Sequence, residues 1–263
     1  MRIEDFNIFG AVGRLVIALL AEIGRAVIFT KDALLTGLTP RYYWSQMGAQ
    51  LFRVGYTSLP VVAMTAFFTG GALALQIYTG SSETTAATLV PSIVAVGITR
   101  ELGPVLAGLM VSGRVGASIA AELGTMKVTE QTDALITLST NPLKYLVGPR
   151  LVAAVISLPI LVLIGDIIGV MGGYFVGTRS LNFNATAYIK TTSDALHSDD
   201  VTSGLIKAAV FGFIIALMGC YHGFHSKGGA QGVGRATTNA VVSSAILILA
   251  ANFVLTSVLF GKH

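Results

Sequence analysis

Apolar residues fill five long stretches of this chain, each bounded by short polar segments. The stretches run approximately over residues 54–78, 88–122, 144–178, 202–224 and 236–260. About 20 mostly apolar residues in a helix cross the hydrocarbon core of a bilayer, so each stretch predicts one transmembrane span. The pattern therefore predicts an all-α integral membrane protein with five transmembrane helices.

Residues 1–40 show a different pattern and are predicted to form a separate unit, followed by a membrane domain over residues 41–263. Apolar residues from Ile8 to Leu38 recur at helical spacing, but charges interrupt them before any run reaches the ~18 residues typical of a span. The interrupting residues are Arg14, Glu22, Arg25, Lys31 and Asp32. We expect an amphipathic helix in the membrane interface, with its basic residues toward anionic head groups. A soluble helix packed on a partner is the alternative.

The second stretch is longer than a bilayer requires. As one helix, residues 88–122 would be about 50 Å long, whereas the hydrocarbon core is roughly 30 Å thick, so the helix is expected to project from the membrane. Pro104 lacks a backbone donor and predicts a kink. Four small residues spaced by four predict close packing against other helices, namely Ser112, Gly116, Ala120 and Gly124.

Several charges lie at membrane depth. Arg100 and Glu101 fall about 18 Å into the second helix, where an unpaired charge is unfavourable by at least ~2.5 kcal/mol. Adjacent helical residues point about 100° apart, so at least one of the two requires a partner on another span. Lys207 and Asp166 are the other candidates, and Asp166 is predicted to pair with Lys207 or Arg100. An ion-pair network that only fixes helix packing is the alternative to a binding site.

Composition agrees with a polytopic membrane protein, since 53% of the residues are hydrophobic and 11% are charged. The net charge of +4 is not gathered into a stripe with aromatics, so no nucleic-acid partner is predicted. With the N-terminus inside, eleven of the 17 Lys and Arg residues fall on the inner side, three on the outer side and three within spans. The positive-inside rule then places the N-terminus and the connection between spans two and three in the cytoplasm. No cleavable signal peptide is apparent, so the first spans are expected to direct insertion.

The connection Gly124–Leu138 alternates apolar and polar residues, and its polar members are Lys127, Glu130, Gln131 and Asp133. This pattern predicts a short helix parallel to the membrane that exposes its polar face to a soluble partner. An ordinary solvated connector is the alternative.

No catalytic residue, metal site or cofactor is predicted for this chain. His222 and His225 have no Cys or carboxylate beside them, so a metal site is not expected. The segment HSKGGAQGVGR is interpreted as a loop before span five. It is not a nucleotide-binding loop, because it lacks the Lys-Ser/Thr ending and a preceding strand.

The run TRELGPVLAGLMVSGRVGASIAAELGTMKVTEQTDAL resembles the signature of MlaE-type permeases. These are the membrane subunits of ABC transporters that move phospholipids between the two membranes of a Gram-negative envelope. The similarity continues from Tyr43 to Phe260, including FTGGALALQIY and GVGRATTNAVVSSAILILAANFVLTSVLF.

The resemblance implies a homodimer in the bacterial inner membrane, joined to two ATPase subunits that bind the ATP and Mg. It also implies an outer-facing MCE-domain lipid-binding protein and a STAS-domain accessory protein. The connection between spans two and three would be the coupling helix, with Glu130 and Gln131 contacting the ATPase. Arg100, Glu101 and Lys207 would form a polar patch in a cavity at the dimer centre that meets a lipid phosphate.

One position departs from the pattern of the family that the chain resembles, in which many members carry an acid where Asn252 stands in span five. An ion pair built on that acid therefore does not carry over to this chain. Two other functions remain open from the residues alone. One is an ion-coupled secondary transporter with Asp166 and Glu101 as a relay, although no internal repeat is visible. The other is a passive membrane scaffold for a lipid-binding partner.

Overall fold

The computed structural model describes residues 8–37 and 44–261, and over these ranges the chain is helical without a β-strand. The prediction of an all-α protein is confirmed. The helices are α1 (Ile8–Gly37), α2 (Trp44–Val54), α3 (Leu59–Gly80), α4 (Glu83–Gly97), α5 (Gly103–Val111), α6 (Ala117–Val128), α7 (Gln131–Thr137), α8 (Gly148–Arg179), α9 (Ala185–Ala195), α10 (Ser198–Phe224) and α11 (Gly229–Phe260).

Five helical segments in the described part of the chain are long and apolar enough to cross a membrane, which confirms the predicted number of spans. Spans one to five are Trp44–Gly80, Thr85–Val128, Leu143–Arg179, Ser198–Phe224 and Gly229–Phe260. Each is longer than the apolar stretch that predicted it, because polar residues at the ends continue the helices beyond the apolar core.

Span two is one continuous helical rod made of α4, α5 and α6. Two π-helical turns, Ile98–Leu102 and Ser112–Gly116, join its three parts. The first turn comes directly before Pro104, whose ring nitrogen cannot donate to the carbonyl four residues earlier. At about 1.5 Å per residue, the 44 residues of this span reach about 66 Å, well beyond a bilayer core.

Spans one and three cross at backbone contact. A Cβ atom added to Gly172 would lie 2.1 Å from the carbonyl oxygen of Phe67, and one added to Gly70 would lie 1.9 Å from that of Gly169. No larger residue fits at either position without separating the helices. Glycine therefore sets the distance between α3 and α8, as small residues do at close helix crossings in membranes.

The main core lies between spans two, three, four and five. Its fully buried side chains include Leu123, Leu158, Phe211, Ile215 and Ile248, one or two from each span. A second, smaller cluster lies at the opposite end of span two, where α9 covers α4; Tyr188 of α9 packs there against Val90 and Val94. Burial raises the pKa of the Tyr188 hydroxyl to about 12.

The start of span five differs from the prediction. The segment interpreted as the loop HSKGGAQGVGR is mostly helix, because α11 begins at Gly229. Gly228 and Gly229 have φ values of +88° and +68° and form the turn itself. Gly232 lies inside the helix, where an added Cβ would be 1.9 Å from the carbonyl oxygen of Lys227. These glycines allow a tight turn and a close contact rather than a long loop.

The predicted interfacial segment is the 30-residue helix α1. Glu22 accepts a hydrogen bond from the Tyr221 hydroxyl at 2.7 Å and forms an ion pair with Arg25. These contacts, the Tyr221 bond first, lower the pKa of Glu22. The apolar side chains of Ile17, Leu20, Val27, Ile28 and Leu35 are exposed. Glu22 and Arg25 thus interact within the protein, while an apolar surface of α1 stays uncovered by the described part of the chain; its position in the membrane interface stays a prediction. The predicted boundary at residue 40 lies outside the described residues.

Candidate functional site

The site is built on the π-helical turn that carries Arg100 and Glu101. Pro104 follows this turn, and because proline has no N–H, the helix leaves the carbonyl of Arg100 without its usual donor. Lys207, fully buried in span four, donates to that carbonyl at 2.9 Å. Lys207 of span four thus satisfies the backbone acceptor of span two for which Pro104 provides no donor. Within a membrane every backbone polar group requires such a partner, because no water is present to supply one.

The Lys207 ammonium makes two further hydrogen bonds, to Glu101 Oε1 at 2.7 Å and to Thr256 Oγ1 at 2.8 Å. An ammonium has three donors, so all three are used within the chain. The second oxygen of Glu101, Oε2, accepts from the Asn252 amide at 2.8 Å. Asn252 therefore supplies a neutral donor to Glu101. Together these contacts connect spans two, four and five.

Arg100 points to a different partner. Its Nε donates to Asp200, a carboxylate with no exposed surface in the first turn of α10. The other Asp200 oxygen accepts the backbone N–H of His197 at 3.0 Å, at a helix N-terminus, where the helix dipole favours a negative charge. The guanidinium also lies 4.4 Å from the ring centroid of Phe260, a cation–π contact. Arg100 is therefore fixed in place while 36% of its side chain remains exposed.

A cavity of about 460 Å³ adjoins Arg100. Its polar wall comes from His197, Asp199, Asp200, Thr202 and Ser203, and its apolar wall from Ile206, Leu259 and Phe260. Arg100 exposes N–H donors to this space, and a guanidinium binds phosphate oxygens in a fork. Asp200 is paired with Arg100, whereas Asp199 is an exposed acid on the same wall. The exposed part of the guanidinium, next to the apolar walls, suits the phosphate of an amphiphile, and Asp199 suits a head group that also carries a positive charge.

Asp166 is not part of this cluster. Its side chain is 5% exposed in span three, and Oδ1 has no hydrogen-bond partner among the described residues. A Cβ added to Gly103 would lie 1.9 Å from Oδ1. The prediction that Asp166 pairs with Lys207 or Arg100 is wrong, because Glu101 and Asp200 pair with those two cations instead.

The four small residues of span two face spans four and five. Ser112 Oγ lies 2.6 Å from Ser244 Oγ of span five. A Cβ added to Gly219 would lie 3.0 Å from the carbonyl oxygen of Gly116, and one added to Gly223 would lie 3.2 Å from that of Ala120. Gly124 adjoins Ser226, with 3.4 Å from its added Cβ to the serine side chain. The structure thus places all four residues at helix contacts within one chain.

The connection between spans two and three contains the seven-residue helix α7. Residues in the left-handed region precede and follow it, Glu130 at φ 61° and Ser139 at φ 56°. Lys127 Nζ binds Asp133 Oδ1 at 2.9 Å across the turn. Glu130 and Gln131 are exposed. Ile136 and Leu138, exposed by 60% and 74%, lie beside them. The outer surface of this segment therefore mixes polar and apolar groups, as a protein docking site does.

Three residues of the site were missed from the sequence: Asp200, Thr256 and Phe260. Asp200 lies before residue 202, where the fourth apolar stretch begins, so the hydrophobic pattern does not place it in a span. The signal that identifies it is a pair of acids in the first turn of a helix, which the helix dipole favours. Nothing in the sequence marks Thr256 and Phe260 as site residues, since threonine and phenylalanine are both common in membrane spans.

The fold and the site define a polytopic helical membrane protein with intramembrane charges paired between spans and a short exposed helix between spans two and three. The chain belongs to the MlaE permease family: the family model described as Permease MlaE matches residues 47–258. The resemblance seen in the sequence is thereby confirmed, and the chain is an ABC transporter permease of this family.

Relatives cover most of the chain. A probable ABC transporter permease protein of Rickettsia typhi is 57% identical over 254 residues, covering 97% of this chain and 98% of the relative. The intermembrane phospholipid transport system permease protein MlaE of Haemophilus influenzae is 31% identical over 256 residues, covering 97% and 98%. The chloroplastic protein TRIGALACTOSYLDIACYLGLYCEROL 1 of Arabidopsis thaliana is 36% identical over 233 residues, covering 89% of this chain and 67% of the relative.

Proposed function

We propose that this chain is the membrane subunit of an ATP-driven transporter that moves phospholipids between the inner and outer membranes. In this proposal it acts as a homodimer with two ATPase subunits, which bind ATP and Mg, together with an MCE-domain lipid-binding protein and a STAS-domain accessory protein. The relative from Haemophilus influenzae is a phospholipid transport permease by name, and its similarity covers nearly the whole chain.

The observation that carries the proposal is the exposed, anchored guanidinium of Arg100 beside a cavity with apolar walls. Arg100 is the group that contacts the lipid phosphate. Lys207 is a positioning residue, because its three donors are taken by Arg100, Glu101 and Thr256. Glu101 does not line this cavity and is likewise a positioning residue, because its carboxylate holds Lys207, Thr256 and Asn252.

Span five supports the dimer. Only 11% of its apolar window is buried within the chain, whereas half of the window of span three is buried. Its exposed side chains include Ile246, Leu249, Phe253, Val254 and Val258. Leu259 and Phe260 of the same helix line the Arg100 cavity, so a second copy on this face would enclose that cavity. Lipid tails would then lie between the two protomers.

Span two supports the coupling. It runs without a break from the Arg100 site to the turn before α7. In the proposed complex, Glu130 and Gln131 contact the ATPase, and the Lys127–Asp133 pair keeps the turn closed. Movement of α7 on ATP binding is transmitted along this helix to the lipid cavity. The distribution of Lys and Arg supports a cytoplasmic position for α7 and the N-terminus, in a bacterial inner membrane.

The proposal is tested by native mass spectrometry of the complex purified gently from its own membrane. The expected mass corresponds to two copies of this chain, two ATPases and retained phospholipid. Arg100→Ala is combined with Asp200→Asn, so that no unpaired carboxylate is left buried. This variant should assemble but lose most of the lipid and the ATP-dependent transfer between vesicles. Arg179→Ala is the matched control, because Arg179 is an exposed arginine at the end of α8, outside the Arg100 cavity.

Two results would contradict the proposal. Transfer driven by a proton gradient without ATP would favour the ion-coupled transporter. Full transfer by a correctly assembled Arg100→Ala/Asp200→Asn complex would remove the head-group role of Arg100.

A further inference from the structure

A second, larger cavity of about 880 Å³ lies toward the α7 end of span two. It is enclosed by α2 and the following turn of span one on one side and by α6 on the other. Its polar lining includes Arg53, Thr57, Arg114, Ser118, Glu122 and Gln131. We call it the Arg114 pocket. Its volume is in the range of small-molecule sites in proteins.

Arg114 has unused hydrogen-bonding capacity in this pocket. Its Nη1 donates to Ser58 Oγ at 2.9 Å, and Ser58 is 1% exposed. This bond holds the guanidinium against span one. A guanidinium has five N–H donors, and the described residues provide no carboxylate as an ion-pair partner for Arg114. Because Arg114 is exposed and lines the pocket, its remaining donors are available to a ligand there.

The single acid of the lining does not neutralise Arg114. Glu122 Oε2 binds Arg53 Nη1 at 2.9 Å, and Glu122 Oε1 binds Arg150 Nη2 at 3.1 Å. Each carboxylate oxygen is thus occupied by another arginine. The lining itself has two arginines, Arg53 and Arg114, both exposed, and one acid, whose charge is also shared with the buried Arg150 behind it. The pocket therefore has an excess of positive charge.

The position along span two fits a membrane interface. Arg114 is 14 residues from Arg100, about 21 Å along the helix, so the two arginines lie toward opposite sides of the membrane. Val115 and Ile119 give the pocket an apolar wall near Arg114, and Gln50 and Gln131 give it a polar rim. Long basic side chains in such positions reach toward head groups, and basic pockets between membrane helices bind anionic lipids.

We propose that the Arg114 pocket binds the phosphate of an anionic phospholipid from the leaflet on the α7 side. The Arg114 fork holds the phosphate oxygens, and Arg53 adds charge at the rim. The site is separate from the Arg100 cavity and does not depend on transport. Only its description as cytoplasmic rests on the orientation proposed above.

The test uses the delipidated complex in detergent, titrated with phosphatidylglycerol and, separately, phosphatidylcholine. Hydrogen bonds to charged groups are worth about 1.5–3 kcal/mol, so Arg114→Gln should weaken phosphatidylglycerol binding about 10- to 100-fold. Arg114→Lys keeps the charge but not the fork and should give an intermediate loss. Arg179→Gln should bind as the unmodified chain does. Inorganic phosphate at millimolar concentration should not displace the lipid.

A photoreactive amino acid at Ser118, exposed in the lining, locates the ligand. The expected adduct is phosphatidylglycerol, and it should disappear in Arg114→Gln. Adducts with protein only would show that another chain covers the pocket and would overturn the proposal. The proposal would also be overturned if phosphatidylcholine bound equally well or if inorganic phosphate displaced the lipid. It would be overturned too if Arg114→Lys bound phosphatidylglycerol as the unmodified chain does, or if the Arg114 and Arg179 variants lost binding equally. Because transport is not measured, failure here leaves the proposed transport function intact.

Discussion

The side-chain ammonium of Lys207 donates a hydrogen bond to the main-chain carbonyl of Arg100, at 2.9 Å. The carbonyl needs this donor because Pro104 cannot supply one. Lys207 therefore has two roles: its ammonium donates to the backbone acceptor of span two, and it neutralises the charge of Glu101. The conformation of the π-helical turn, and with it the direction of Arg100, depends on a residue of another span.

Replacing Lys207 tests this dependence. Lys207→Met leaves the Arg100 carbonyl and the Glu101 carboxylate without their donor. Breaking a buried pair costs 3–5 kcal/mol, and since 37% of the Glu101 side chain is exposed we expect about 3 kcal/mol. The measurement is thermal unfolding of the purified chain in detergent. Lys190→Met, at an exposed lysine of α9, is the control. The double variant Lys207→Met/Glu101→Gln should recover part of the loss; equal melting of the two single variants would refute the structural role.

Asp166→Asn should raise the thermal stability. Ionisation of a buried carboxyl with an unpartnered oxygen is unfavourable, and an amide of the same shape cannot ionise. A gain of about 1 kcal/mol corresponds to a shift in melting temperature of roughly 2–4 °C for a chain of this size. Asp194→Asn, at an exposed position of α9, should change nothing. ATP-dependent transfer should survive in both variants. Loss of transfer in Asp166→Asn alone would instead support a relay.

Two substitutions of Glu130 separate its side chain from its backbone conformation. At φ 61° an L-residue is disfavoured by about 1–2 kcal/mol relative to glycine. Glu130→Gly relieves that strain and Glu130→Ala keeps it, while both remove the carboxylate. If the carboxylate contacts the ATPase, both variants should lose lipid-stimulated ATP hydrolysis to a similar extent. Normal hydrolysis by Glu130→Gly with a defect in Glu130→Ala would assign the effect to the turn.

The contact of α1 with span four should depend on pH. The pKa of Glu22 is lowered from its ordinary value of 4.5, chiefly by the Tyr221 hydroxyl and then by Arg25. A carboxyl with a lowered pKa stabilises the folded state above the ordinary value, and this contribution is lost as pH falls through the lowered pKa. Hydrogen exchange in α1 should therefore be slow at neutral pH and rise below about pH 4.

Glu22→Gln is the control for this pH dependence. Its α1 should exchange faster than that of the unmodified chain at neutral pH and show little further change on acidification. Release of α1 already between pH 7 and 5 would mean that a group other than Glu22 holds it.

Much of the fold could be predicted because membrane spans have a strong signal. Runs such as residues 144–178 are too apolar and too long for any other structure. The alternation of apolar and polar residues around Gln131 predicted the short helix α7 between spans two and three. The start of span five was not, because the same glycines that favour a loop also permit a helix to begin in close contact with Lys227.

The sequence predicted the charged residues Arg100 and Glu101 of the site, but not their partners. That Arg100 and Glu101 point to different places followed from helical geometry. The residues that contact them could not be predicted, because Asp200 lies 100 residues away from Arg100 in the sequence and Thr256 lies 155 away from Glu101. Such pairs are set by how the spans cross, and that depends on backbone contacts such as Gly204 against the carbonyl of Thr99, where an added Cβ would lie 2.3 Å from the oxygen. The predicted ion pair of Asp166 with Lys207 or Arg100 was wrong. A lone acid within a span suggests a basic partner, but the packing of the helices does not bring one to it.

The four charges joined between spans two and four, on Arg100, Asp200, Glu101 and Lys207, sum to zero in their ionised forms. Asn252, being neutral, leaves that sum unchanged. A membrane potential acts on moving charge with about 2.3 kcal/mol per elementary charge per 100 mV. A rearrangement that carries these spans together through the bilayer with both pairs intact is therefore electrically silent. Electrophysiology of the working complex would record no gating current from this cluster, however far it moves.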